Sequence, residues 1–137
     1  MSPDPPAPAA APADVARAYL RSFAAGDPDA IAGHVTDDFV NDHASALGSG
    51  CVGRAEYRRR LPGFLASMSD LAYEVGTVIA DGSAVAVTYR LTATCAGHPV
   101  DVPGVMVMEI VDGLIRRRTD YWDALTFLRQ TDQRDER

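Results

Sequence analysis

Apolar residues change their period once along this chain, and the change separates a helical first half from a second half of strands. Val15, Ala18, Tyr19, Ser22 and Phe23 recur at the spacing of one helix face, with Asp14 placed as an N-cap and Gly26 as a stop. Asp27-Pro28 repeats the start signal, an N-cap residue before a proline at the first helical position. Ile31, Ala32 and Val35 carry that second helix to Thr36. A third helix is predicted from Arg54 to Ser69, with Tyr57, Leu61, Phe64, Leu65 and Met68 on its core face. Pro62 lies inside it and should kink or split it. Between these helices, Asp37 to His43 reads as a turn feeding a short strand, and Ala44 to Gly53 as a small-residue loop.

From Leu71 the period becomes two. Strands are predicted at 71–80, 84–95, 100–111 and 114–122, followed by a short helical turn from Ala124 to Arg129. Their connections are Asp81-Gly82-Ser83, Ala96-Gly97-His98-Pro99 and Asp112-Gly113. Along 84–95, Val85, Val87, Tyr89, Leu91 and Cys95 alternate with Thr88, Arg90, Thr92 and Thr94. Helices first and a strand meander afterwards make an α+β domain, a cone-shaped barrel with helices packed on one face of a strongly curved antiparallel sheet. Such a cone leaves a cavity for a small hydrophobic molecule. Val85, Val87, Tyr89 and Leu91 are too apolar to face water, so a homodimer through the sheet face is expected. The Pro/Ala-rich residues 1–13 are predicted to be a disordered tail, 14–130 a single domain, and 131–137 a frayed polar tail.

Composition adds exclusions. A length of 137 residues suits one domain with its own core. A formal charge of −6 argues against nucleic acid and against an anionic membrane surface. The runs Arg58-Arg59-Arg60 and Arg116-Arg117-Arg118 read as solvated faces. Cys51 and Cys95 lack metal-ligand spacing and read as reduced thiols. No stretch has the length of a membrane span or the order of a signal peptide, so a cytoplasmic location is expected. No phosphate loop or dinucleotide fingerprint occurs, and neither cofactor nor metal is expected.

The candidate chemistry centres on the last strand. Read as a strand, Leu114 to Trp122 puts Arg116, Arg118, Asp120 and Trp122 on one face. A covered carboxylate there needs a partner, because an unpaired buried charge is costly. Asp120 is therefore the candidate general acid/base, set by burial against Arg90 or Arg118, or else a structural ion pair. His43 is a second proton carrier or a plain loop histidine. Tyr19 offers a hydroxyl to the cavity or is a core tyrosine, and Asn41 orients an oxygen or caps a turn. Phe39, Phe64, Trp122, Met106 and Met108 are candidate walls of the pocket, the methionines being equally at home in an ordinary core.

Three segments carry a resemblance: Tyr19-Leu20-Arg21-Ser22-Phe23-Ala24-Ala25-Gly26-Asp27, Thr36-Asp37-Asp38-Phe39-Val40-Asn41 and Thr119-Asp120-Tyr121-Trp122-Asp123. With the order of elements, they resemble the nuclear transport factor 2-like superfamily over about Val15 to Gln130. Its enzyme branches include ketosteroid isomerases, limonene epoxide hydrolases and SnoaL-like polyketide cyclases. Against the isomerases, Tyr19 stands where an oxyanion-hole tyrosine is found. The base aspartate falls at His43 beside Asp42, and the hydrogen-bonding aspartic acid at Gly104. Against the epoxide hydrolases, Asp120, Arg90 and Asn41 match, while the second aspartate is Thr92 and the tyrosine is Phe39. The resemblance thereby adds Arg90, as an anion or carbonyl clamp, as the salt-bridge partner of Asp120, or as both. Against the cyclases, Asp120 matches the acid/base, with His43 as its helper. The resemblance implies cofactor-free proton transfer on a small hydrophobic molecule bearing a carbonyl or an epoxide, of cyclase or isomerase type. Epoxide opening and binding without turnover are its alternatives.

Overall fold

The computed structural model describes residues 10–44 and 47–131. Most of both predicted tails, and Ser45 and Ala46 of the predicted loop, lie outside the described residues. Helix α1 spans Pro12–Ser22 and starts two residues before the predicted cap. Ala11 holds the N-cap position without a side-chain bond, and Asp14 lies in the first turn, where its charge suits the helix dipole. A 3-10 turn, Phe23–Ala25, leads to Gly26, whose φ of 68° ends the helix as a left-handed cap. Helix α2, Pro28–Ala32, begins as predicted: the Asp27 side chain accepts from the Asp29 amide at 3.0 Å. It stops four residues short of Thr36, because Val35 already belongs to strand β1, Val35–His43. Strand β2 is Cys51–Val52, and helix α3 is Arg54–Ser67. Pro62 does not split α3: it lies within the one helix, on the exposed side. Then follow β3 (Ser69–Asp81), β4 (Ala84–Cys95), β5 (His98–Val111), β6 (Leu114–Trp122) and α4 (Ala124–Thr131). Among the described residues no helix is long and apolar enough to cross a membrane.

The six strands form one open sheet in the order β2-β1-β6-β5-β4-β3. The predicted meander is present as β3 to β6, every neighbouring pair antiparallel. The sheet as a whole is mixed, because β1 comes back from the helical half and pairs parallel with β6. That pairing sets Asn41 against Arg118 and His43 against Asp120. Two hairpins turn on paired left-handed residues, Ala96-Gly97 (φ 51° and 81°) and Asp112-Gly113 (φ 51° and 80°). Such turns match the right-handed twist of the flanking strands.

Bulges decide which side chains point inward. Ile110 pairs with Ile115 but Glu109 with Arg117, so Arg116 is an extra residue on β6. Ile115 and Arg118 therefore both face the core, whereas Arg116 points out toward Glu109 and Asp38. The predicted inward face of β6 holds from Arg118 onward and fails at Arg116 for this reason. On β3 the register slips between Val75 and Val78, where Thr77 N–H donates to Thr88 Oγ1 at 2.7 Å. A Cβ on Gly76 would come within 2.6 Å of that oxygen, so the bend needs glycine there.

Helices α1 to α3 cover the concave face of this sheet. Tyr19, Leu20, Phe23, Ile31, Val35 and Ile115 form the centre of the core, each at most 2% exposed. Val85, Val87 and Tyr89 belong to the same core, and Leu91 packs against it. The face assigned above to a dimer contact is thus the inner one, already covered by the chain's own helices. What it buries on folding also stabilises most, at roughly 25 cal/mol per Å² of apolar surface.

Candidate active site

A cavity of ≈ 410 Å³ lies between α3, the concave sheet and α4. Its wall is apolar, supplied by Phe23, Leu61, Phe64, Met68, Leu91 and Val102 among others, and Phe127 of α4 closes one side. Trp122 stands edge-on to Phe127, with ring centroids 5.9 Å apart. At one end the lining turns polar with Asn41, His43, Arg118 and Asp120. Those four come from two strands only, β1 and β6, and the parallel pairing described above is what brings them together.

Asp120 is 4% exposed. Its Oδ1 accepts from the Tyr89 hydroxyl at 2.6 Å, while His43 Nδ1 lies 4.0 Å from Oδ2. Arg118, also 4% exposed, donates from Nη1 to the Tyr19 hydroxyl at 2.6 Å. Tyr19 in turn shares a 2.5 Å hydrogen bond with the Tyr57 hydroxyl. Burial works against the Arg118 cation, but the oxygens of Tyr19 and Tyr57 and the Asp120 carboxylate hold its pKa well above the usual value. Burial raises the phenols of Tyr19 and Tyr57 above their ordinary range. It raises Tyr73 and Tyr89 as well, with the Asp120 charge adding to the effect. Tyrosine in this cavity is therefore a neutral donor at every physiological pH.

His43 lies between the two charged groups. Its Nε2 is 3.4 Å from Arg118 Nη2, and its Nδ1 is 3.3 Å from Trp122 Nε1. Burial first, and the Arg118 cation second, lower its pKa, against the opposing carboxylates of Asp120 and Asp42. The ring is thus neutral near pH 7 and accepts at one nitrogen only. Arginine and tryptophan are both donors, and the guanidinium charge favours Nε2 as the acceptor. The Trp122 indole N–H nevertheless donates to Nδ1, so the two donors compete for the single lone pair of the neutral ring.

Five sequence-predicted residues line the cavity together: Asp120, His43, Asn41, Phe64 and Trp122. Tyr19 is fully buried and acts on the cavity through Arg118 rather than lining it. Arg90 is not in the site. Its side chain is 53% exposed on the opposite face of β4 and pairs with Asp101 at 2.8 Å. Strand alternation forces this, since Tyr89 points inward and its neighbour must point out. Phe39, Met106 and Met108 are not pocket walls but core, each 0–1% exposed behind the lining. Phe39 packs instead on the Tyr57 ring, at 4.9 Å between centroids.

The tyrosine hydroxyls of positions 57 and 89 escape the sequence reading. Tyr89 is legible through parity, since it shares the apolar face of β4, whereas Tyr57 shows only as a core position of α3. Among the described residues, the buried side-chain atoms without a hydrogen bond are Asn41 Oδ1 and Arg118 Nε, which belong to residues facing each other across β1 and β6. Among the described residues, no three His, Cys, Asp or Glu side chains converge as metal ligands would.

Comparison with known proteins places this geometry. The SnoaL-like domain family matches residues 16–118. No curated protein sequence matches. Among solved structures, a hypothetical protein of ketosteroid isomerase-like fold from Catenulispora acidiphila, in complex with trimethylamine, superposes with a TM-score of 0.79 at 17% identity, covering 86% of this chain and 92% of that one. A proposed polyketide cyclase from Xanthomonas campestris gives 0.75 at 22% identity, with 87% and 95% covered. A proposed ketosteroid isomerase from Kribbella flavida gives 0.65 at 27% identity, with 82% and 77% covered.

Proposed function

The chain belongs to the SnoaL-like domain family, and from that membership we propose that it is an acid/base enzyme using its own side chains rather than a cofactor. Its substrate is a small hydrophobic molecule with a carbonyl group, and the reaction is of cyclase or isomerase type. One observation carries this reading: the Asp120 carboxylate sits at the polar end of an apolar cavity with Oδ1 held by Tyr89 and, among the described residues, no hydrogen bond to Oδ2. In the proposed step Oδ2 takes a proton from the carbon beside the carbonyl. The C–H bond breaks, an O–H bond forms on Asp120, and the electron pair moves to the substrate oxygen as an enolate. The nearby Arg118 charge stabilises that oxygen, an effect strengthened in a site that excludes water. In an isomerisation Asp120 then returns the proton to a different carbon of the enolate system; in a cyclisation the enolate carbon closes on a second carbonyl and the alkoxide so formed takes the proton from Asp120, which restores the carboxylate.

Binding without turnover is the second reading. It is favoured by the mutual compensation of the buried Arg118 and Asp120 charges, which a purely structural pair would also show. The two separate in one experiment: deuterium uptake next to the carbonyl of 2-tetralone in D₂O, followed by NMR above the uncatalysed rate. Asp120→Asn should lower the uptake by about 100-fold or more, and Arg90→Ala should leave it unchanged. Binding of the ketone with no accelerated uptake would support the second reading instead.

A further inference from the structure

We propose that Tyr89 is the positioning residue of Asp120, and that Gly104 is the glycine that lets it reach. The role given to Tyr89 rests on the acid/base reading above; the contact itself stands on geometry alone.

Tyr89 is on β4 and Asp120 on β6, with β5 between them. Adjacent strands lie about 4.8 Å apart, so the two backbones are separated by roughly 10 Å. A phenol can span that gap only by lying flat across β5. The register names the residue it crosses: Tyr89 pairs with Gly104, and Gly104 pairs with Trp122. A Cβ on Gly104 would stand 2.3 Å from the Tyr89 hydroxyl oxygen and 2.4 Å from Cζ. No side chain fits there while the phenol does.

The same Cβ would also stand 2.9 Å from the Tyr121 carbonyl oxygen, although the local backbone conformation does not call for glycine. Its φ is not in the left-handed region, unlike that of the turn glycines at 26, 53, 82, 97 and 113. Glycine in a strand interior also weakens the strand. The remaining inward positions of β5, Val100, Val102, Met106, Met108 and Ile110, all carry buried side chains. Gly104 is the one gap in a filled row, and the Tyr89 ring fills it. The Tyr73 ring, edge-on to Tyr89 at 5.1 Å between centroids, holds the phenol from the other side.

The consequence for Asp120 is geometric. A hydrogen bond from a neutral phenol to Oδ1 holds the carboxylate against rotation and keeps Oδ2 on the side of His43. Tyr89 therefore selects which oxygen reacts. Its loss should act on turnover rather than on binding of the ketone.

Two readouts test this, one of them independent of activity. In the full chain labelled with ¹³C at aspartate carboxyls, Tyr89→Phe and Gly104→Ala should each move the Asp120 carboxyl resonance in the same direction. Arg90→Ala should leave it in place. In the 2-tetralone exchange, Tyr89→Phe should lower kcat by roughly 10- to 100-fold, the equivalent of one hydrogen bond to a charged group, with KM unchanged. Gly104→Ala combined with Tyr89→Phe should lose no more than the greater single loss, since both act through one bond. An Asp120 resonance unmoved by Tyr89→Phe, a variant that keeps the ring, overturns the proposal outright. So does an unchanged kcat in Tyr89→Phe while Asp120→Asn abolishes exchange, which would leave the acid/base reading standing. If Asp120→Asn keeps full exchange while both carboxyl shifts occur, the contact is upheld and the catalytic role of both residues falls.

Discussion

Replacing Tyr19 by phenylalanine removes one oxygen and nothing else, and the structure assigns that oxygen an unusually heavy duty. The ring stays, still edge-on to Phe23 at 5.2 Å between centroids. What goes is the acceptor at 2.6 Å from Arg118 Nη1 and the partner at 2.5 Å from the Tyr57 hydroxyl. Among the described residues Arg118 Nε already has no hydrogen-bond partner, so the buried guanidinium would keep the long hydrogen bond to His43 at 3.4 Å as its one hydrogen bond there, beside the ring face at 5.8 Å. A hydrogen bond to a charged group contributes about 1.5–3 kcal/mol, and an orphaned buried hydroxyl costs about 1 kcal/mol or more. Together they give a loss of about 3 kcal/mol, a large share of the roughly 5–15 kcal/mol typical of a domain. Tyr57→Phe is the internal control. It leaves the Tyr19 oxygen on Arg118 and removes only a neutral pair, so about 1 kcal/mol is expected. With a urea slope of roughly 1.5–2 kcal/mol per molar, the midpoints should fall by about 1.5–2 M for Tyr19→Phe and about 0.5 M for Tyr57→Phe. Equal losses in the two variants would refute the reasoning, because they would mean that the guanidinium does not depend on Tyr19.

Folding holds His43 neutral, with its pKa lowered from 6.5 chiefly by burial and then by Arg118. The unfolded chain therefore binds a proton first as pH falls. The contribution of this group is complete above about pH 6.5 and is lost as pH drops from there toward the depressed folded value. Urea midpoints measured between about pH 5 and 7 should fall toward the acid side, and His43→Gln should flatten that slope; an unaltered slope would remove His43 from the account. His34, whose pKa burial also lowers, supplies a remainder of the same sign. A second copy of the chain would have to cover the outer sheet face, where Val107 is 41% and Tyr121 50% exposed on the neighbouring strands β5 and β6. Light scattering should then report a dimer that Tyr121→Glu converts to monomer, and a monomeric parent chain would dispose of the dimer.

The strand half is more legible than the helical half, and the reason is local. Alternation, Asp112-Gly113 and Ala96-Gly97 are short-range signals, and each of the four predicted meander strands is present within a few residues. Strand β1 is half legible: a short strand is expected within Asp37 to His43, but its start at Val35 is hidden, because its pairing is with β6, some 75 residues away in sequence. Val35 keeps helical spacing with Ile31 and is equally good in a strand, so tertiary pairing decides it. The extra residue at Arg116 is likewise invisible, since three successive arginines give no hint of which one leaves the ladder. Arg90 is a different case. Strict alternation with Tyr89 already places it on the outer face, and only the resemblance to a relay arginine draws it inward.

What separates this site from an ordinary buried ion pair is how its two charges are satisfied. Arg118 and Asp120 stand two residues apart on one face of β6, yet among the described residues no ion pair within 4.0 Å joins them. Each is hydrogen-bonded instead to a neutral phenol, Arg118 to Tyr19 and Asp120 to Tyr89. A buried pair kept for stability alone recovers its desolvation cost by closing on itself, with the remaining lone pairs bonded. Here the charges compensate at a distance, and one carboxylate oxygen and a neutral imidazole are left facing an apolar cavity. That arrangement forgoes stability that a direct contact would supply. Changing the protonation of Asp120 need not break a salt bridge, because there is none to break, and the Tyr89 hydroxyl stays bonded to Oδ1 while a proton arrives at or leaves Oδ2. A carboxylate that cycles between its two forms needs that independence, and a structural one does not.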